Sequence, residues 1–265
     1  NNIKTNFISM AAICLMLFVT IVCLFTMFSY KANLDKTLKG NNLFDASATM
    51  NISDDVQKTQ NIKDVLKKLD FKFSDSEKHV FFNEYQINLQ VGDLLNKYIN
   101  QNNINNLEKK SDDGNISVIR VSDYNAIIRL SNQQKTTLKN NELLVASNYG
   151  DKIQSMNKFM QNEHTIKINN KPYIIKNKDI IKQNIENRAS NLDFFYLVVP
   201  DDLSEVLTLS ATKIDIKFGD KNSNESEIKF ATLFDNFNIG KYDKEKLGNT
   251  YGFTGFTKEQ TNAGV

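Results

Sequence analysis

Beyond residue 31 the chain has no cysteine; its only two, Cys14 and Cys23, sit in an apolar run near the start. The remainder therefore owes nothing to disulfides or thiolate metal sites. On a helix turning about 100° per residue, Cys14 and Cys23 lie on opposite faces and cannot pair with each other. Histidine is equally scarce. His79 and His164 stand alone, with no cysteine or second histidine near them, so each reads as an ordinary strand or surface side chain. Arginine occurs only at 120, 129 and 188, and 33 basic residues against 31 acidic ones leave a net charge of +2. That balance gives no field to hold a nucleic acid. G-x-S-x-G, S-x-x-K, Walker A and G-x-G-x-x-G sequences are all missing, so the expectation is a non-enzyme with no cofactor and no metal.

Weaker signals resolve the same way. Asp220-Lys221-Asn222-Ser223-Asn224 opens like a calcium loop, but Glu225 replaces the turn glycine and Ala231 stands at the twelfth position. Ser111-Asp112-Asp113-Gly114 reads as a turn. Asp54-Asp55 and Asp201-Asp202 each adjoin a helical stretch, where negative charge suits a helix N-terminus. Sequons at Asn51, Asn115 and Asn224 are chance matches in an Asn-rich chain, whose Asn-rich stretches read as loops. Phe81, Tyr85 and Phe195 are aromatics that a peptide would contact if exposed; core packing is the expectation, and no ligand-binding residue is assigned.

What is present is one uninterrupted apolar run, Met10 to Phe28, with no charged side chain between Lys4 and Lys31. As a helix it spans roughly 28 Å, the thickness of a bilayer's hydrocarbon core. A cleaved signal would be shorter and end in small residues, whereas this run ends in Phe25-Thr26-Met27-Phe28. A buried core helix would show a polar stripe, whereas the run has only Thr20 and Thr26, whose hydroxyls can bond back to their own helix. The expectation is a retained span that continues as helix to about Leu38 and ends near Gly40. The chain does not begin with Met, which suggests a piece of a longer polypeptide. Lys31, Lys36 and Lys39 after the run, against Lys4 before it, lean toward a cytoplasmic domain, but large domains translocate largely regardless of charge.

Behind the anchor the pattern is mixed. Phe44 to Ile52 alternates as a strand, Ile62, Val65, Leu66 and Leu69 have helical spacing, and His79–Leu89 reads as a strand followed by a short helix at Val91–Tyr98. Residues 100–115 are the best loop and candidate lobe boundary. Then come a strand at Ser117–Val121, a helix Asp123–Leu130 capped by Ser122, and a strand at Glu142–Ala146. A hairpin joins Thr165–Ile168 to Tyr173–Lys176 through Asn169-Asn170-Lys171-Pro172. Phe194–Val199 is the most buried-looking strand, stopped by Pro200. A short helix at Asp201–Leu207, a strand at Lys213–Phe218 and a helix at Glu225–Phe237, with Ile228, Ala231, Leu233 and Phe234 at helical spacing, complete the reading. The fold class is α+β, mixed and largely antiparallel. The domains are 1–39, a transmembrane helix with an extension; 40–250, an α+β domain in one or two lobes; and 251–265, leading into a following span.

The opening NNIKTNFISMAAICLMLFVTIVCL resembles the span that precedes the large extracellular domain in FtsX-like ABC transporter permeases of the bacitracin-export type. Val121-Ser122-Asp123-Tyr124-Asn125, with Ile127-Ile128-Arg129-Leu130 and then Leu138-Lys139-Asn140-Asn141-Glu142-Leu143-Leu144-Val145, is similar to that domain's pattern. TIKINNKPYIIK and FFYLVVPDDL look like its continuation, and Tyr251-Gly252-Phe253-Thr254-Gly255-Phe256 resembles the lead-in to the next span. The resemblance implies a cell-membrane protein of a Gram-positive bacterium, with a cytoplasmic N-terminus and an extracellular domain. It also implies a separate ABC ATPase subunit that hydrolyses ATP, and a role in resistance to, or sensing of, peptide antibiotics that act on lipid-linked cell-wall precursors. A membrane histidine kinase is a further implied partner. The alternative is the ligand-binding domain of a sensor such as a histidine kinase or chemoreceptor.

Overall fold

A computed structural model describes residues 2–41, 43–52, 61–99, 115–147, 153–182, 185–187, 194–219, 223–243, 247 and 252–258. Residues 100–114 of the candidate boundary 100–115, Asp54-Asp55, Ser111–Gly114, Arg188 and Asp220–Asn222 lie outside the described residues, and Asn115 opens a strand. Two compact units divide at Gly40.

The first unit is a single helix, α1 (Asn2–Asn41), 40 residues without a break. Its stretch Ser9–Lys31 is long and apolar enough to cross a membrane, and none of it is buried. Leu15, Phe18 and Phe25 each expose about two thirds of their surface. A core helix of a water-soluble protein would hide such side chains. The Thr20 hydroxyl donates to the Met16 carbonyl at 2.8 Å, and that of Thr26 donates to Val22 at 2.7 Å, so neither needs water or a neighbour. Cys14 and Cys23 are both exposed and unbonded.

Among the described residues the second unit has nine strands: β1 (Ala46–Asn51), β2 (Lys78–Gln90), β3 (Asn115–Arg120), β4 (Glu142–Ser147), β5 (Thr165–Ile168), β6 (Lys171–Ile175), β7 (Phe195–Val199), β8 (Thr208–Lys217) and β9 (Phe253–Thr257). Their order is β5-β6-β4-β7-β3-β2-β8-β1-β9. Only the β3/β7 and β4/β6 pairs are parallel; the other six neighbouring pairs are antiparallel. The mixed, largely antiparallel α+β expectation therefore describes the sheet.

Strand alternation sends two sets of side chains to opposite faces. On one face, Leu197, Val199, Val145 and Val118 pack beneath α3 (Val91–Ile99) and α5 (Ile153–Asn162) through Leu95, Met156 and Phe159. Further along that face, Ala46, Ala48, Met50, Ile214 and Ile216 meet α2 (Ile62–Lys68) and α6 (Ser223–Asn238). The other face carries Phe82, Ile119, Leu144, Tyr196 and Val198 under α4 (Val121–Leu130), through Tyr124, Ile127 and Ile128. β7 is buried at all five positions because both its faces are covered.

Several local expectations are corrected. Ser122 is not the cap of α4; the helix begins at Val121, with Arg120 in the cap position and no side-chain cap bond of its own. The orphan N–H of Ser122 instead donates to Asp201 Oδ1 at 3.0 Å, from the 3-10 helix Asp201–Val206. A tertiary acceptor has replaced the local one. Ile228 points outward, 66% exposed, and α6 buries Ser226, Phe230, Leu233 and Phe234. The tight turn between β5 and β6 is only Asn169-Asn170, both at positive φ (50° and 64°), leaving Lys171 and Pro172 in β6. α5 has no counterpart among the expected elements, although Met156, Phe159 and Met160 sit at i, i+3 and i+4. Within 251–265, Phe253–Thr257 form β9, hydrogen-bonded along β1.

β9 lies against α6 with no room to spare. Phe234 stacks near Phe253 at 4.8 Å between ring centres, and a Cβ at Gly255 would overlap the Phe234 ring. Gly255→Ala should therefore lower unfolding stability by about 1–3 kcal/mol. A urea titration of the chain in lipid reads this, and an unchanged midpoint would contradict the tight packing.

Candidate functional site

On the face of the sheet beneath α4, β8 directs Lys213 and Asp215 inward, opposite the Ile214 and Ile216 that serve the other core. Strand period two makes this unavoidable once the isoleucines are inside. Both polar side chains are buried, Asp215 completely. Lys213 Nζ sits 2.5 Å from Glu84 on β2 and 2.5 Å from Glu186. Glu84 also accepts from the Ser117 hydroxyl at 2.9 Å, and Glu186 accepts from the Tyr196 hydroxyl at 3.1 Å. One buried ammonium is thus shared by two carboxylates, each with a second donor. A buried charge survives only with such partners.

Asp215 is different. Its Oδ1 accepts from the Ser47 hydroxyl at 2.7 Å, but its Oδ2 is buried without a hydrogen-bond partner. Burial pushes its carboxyl well above the usual carboxylate range. Ser47 opposes that shift, Glu186 adds to it, and Lys213 opposes it in turn.

The cluster is covered by a strap, Ile185-Glu186-Asn187, all three buried. The Asn187 side chain pairs with one residue's whole backbone: its amide donates to the Phe44 carbonyl at 2.8 Å, and its carbonyl accepts from the Phe44 N–H at 3.1 Å. The Asn187 N–H donates to Ser47 Oγ at 3.1 Å. Asn177 does the same to Val145, at 2.9 Å both ways, and Asn125 does it to Thr136, at 2.8 Å both ways. Each asparagine satisfies both backbone groups of a residue distant in sequence. Sequence analysis places Asn125 in the helix Asp123–Leu130 and singles out neither Asn177 nor Asn187.

The other candidates separate. His79 stacks on Phe73 at 3.9 Å and lies edge-on to Phe81; burial lowers its pKa, Glu77 opposes that, and Lys63 adds to it. His164 lines an open cleft of about 410 Å³ with Met160, Glu163, Lys176 and Lys178, far in sequence from His79. Tyr85 and Phe195 are core, and Phe81 packs against it, as expected. Asp201 serves as the cap of α4. Among the described residues no group of three or more His, Cys, Asp or Glu is placed to hold a metal. The buried cluster is enclosed beneath the strap, so its chemistry is structural: it fixes one segment over a sheet. Compared with models of protein families, with curated proteins and with solved structures, the chain matches none.

The raised Asp215 carboxyl sets a pH dependence. The native state holds this proton more tightly than the unfolded chain, so its contribution to stability is full below about pH 3.8, the unfolded value, and is lost as pH rises through the folded value. Asp215→Asn keeps the acceptor for Ser47 and removes the ionisation. Denaturant midpoints of the two proteins should nearly coincide at low pH and diverge as pH rises, with the variant the more stable. A variant less stable at pH 7 would sink this reading.

Proposed function

We propose that the chain is the anchored, extracellular domain of an FtsX-like ABC transporter permease of the bacitracin-export type. The observation that carries the reading is where the chain comes into the domain and where it goes out. Ala46, the first residue of β1, lies opposite Thr257, the last of β9, and the Lys258 N–H donates to the Asp45 carbonyl at 2.8 Å. A domain whose two connections lie side by side fits between two consecutive membrane spans, of which α1 is the first and a segment after residue 258 leads to the second. The exposed apolar stretch Ser9–Lys31 supports the anchor. The resemblance supports the family.

On this reading the N-terminus is cytoplasmic, and ATP is hydrolysed by a separate ABC ATPase subunit. The domain engages a peptide antibiotic, or its complex with a lipid-linked cell-wall precursor, at the outer leaflet, and a membrane histidine kinase is a further partner. The sensor reading rests on the same side-by-side connections, since a ligand-binding domain between two spans needs them as well. The two readings part beyond the second span: a permease continues into further spans, a sensor into a signalling helix.

Placement is tested with a single cysteine at exposed Asp75 (Asp75→Cys) in a Cys14→Ala, Cys23→Ala background. A membrane-impermeant maleimide should label it on intact cells; labelling only after lysis would rule out the extracellular side. Function is tested in the full-length parent with its ATPase partner. Removing residues 46–257, the stretch between the paired ends, should abolish survival on bacitracin or lantibiotic-type peptides while the complex still assembles. Unchanged resistance to all of them would favour the sensor.

A further inference from the structure

We propose that the strap Ile185–Asn187 is a latch that holds Phe44, the residue through which the chain enters the sheet domain, against the sheet. The inference deepens the permease reading and rests on it for its purpose, since that reading makes this entry one of the domain's two roots. α1 ends at Asn41 and β1 begins at Ala46. Between them Phe44 is completely buried, yet it belongs to no strand. Both of its backbone groups are taken by the Asn187 side chain. The next residue is held differently, by the sheet itself: the Asp45 N–H donates to the Ile216 carbonyl at 2.9 Å, and Asp45 Oδ2 accepts from the Phe218 N–H at 2.7 Å. Phe44 is thus the point at which sheet order passes to strap order.

The strap is fixed in its turn from several elements. Glu186 bonds to Lys213 on β8 and to Tyr196 on β7, and Asn187 bonds to Ser47 on β1, whose hydroxyl donates to Asp215 on β8. The charge of Glu186 is buried against the Lys213 ammonium, so lifting the strap would break a buried ion pair. Opening is therefore costly and cooperative: Glu186 and Asn187 let go together, and Phe44 is released with them.

Hydrogen exchange of the full 265-residue chain in lipid nanodiscs reads this directly, because the Phe44 N–H is a latch bond, whereas the Val145 N–H is held by Asn177 and Leu197 lies in fully buried β7. Asn187→Ala and Glu186→Gln should each speed exchange at Phe44 by about tenfold or more, equivalent to roughly 1.4 kcal/mol of local stability. Val145 and Leu197 should stay near their original rates. Glu186→Gln keeps the strap's shape and hydrogen-bonding capacity, so it serves if Asn187→Ala does not fold. Phe44 exchange that is unchanged, or that rises in step with Val145 and Leu197, overturns the latch. The readout needs no transport, so an intact latch with unaltered drug resistance on domain removal would count against the permease reading alone.

Discussion

The structure depends on β1, a strand of six residues that is hydrogen-bonded on both sides. It pairs with β8 along its whole length and with β9 over five positions. The first strand of the domain thus lies between two of its last three, and no part of the β8-β1-β9 end forms until distant parts of the chain meet. Such non-local pairing closes long loops before it is rewarded. The α2/α6 core depends on it, since Ala46, Ala48 and Met50 supply its floor. The polar cluster depends on it as well, because Ser47, on the opposite side of the same strand, meets Asp215.

Two faces of one sheet are solved by different means. Beneath α2, α3, α5 and α6 the contact is apolar, with phenylalanine prominent: Phe71, Phe230, Phe234, Phe237 and Phe253 form a chain of ring contacts 4.8–6.0 Å apart. Beneath α4 the apolar floor gives way along β8 to charge, which only a matched set of partners can make tolerable. Replacing such a cluster with apolar side chains is often neutral or stabilising in proteins generally. Its retention here is consistent with specifying where the strap lies, as an apolar patch would accept the strap in several registers.

Much of the secondary structure was legible because periodicity reports which face is inside. Ile62, Val65 and Leu66 announced α2, and the alternation of Phe44 to Met50 announced β1, all of them buried. The long apolar helix is legible from length and apolarity alone. α6 is legible as an element, but its inward face is not, since Ile228 is no more apolar than Phe230 and only the tertiary neighbours Phe71, Phe253 and Gly255 decide which residues turn inward. The cap of α4 was misread because the acceptor, Asp201, is supplied from elsewhere in the chain. The cluster and strap were not legible at all. Lys213, Glu84 and Glu186 look like surface charges in sequence, and Asn187 looks like another loop asparagine. Their burial is a property of the sheet order, which places β2, β8 and the strap together.

The side-by-side ends have a mechanical consequence. In an antiparallel pair the hydrogen bonds run perpendicular to the strands. A force drawing residues 45 and 258 apart would therefore act along those bonds, at the end of the ladder, and load them one after another from Lys258–Asp45 inward. This is peeling rather than shear. Tension between the two connections would be spent separating β9 from β1, leaving β8, β2 and the strands beyond them unloaded. The β1/β9 edge is thus the place where tension between the two connections would first open the sheet.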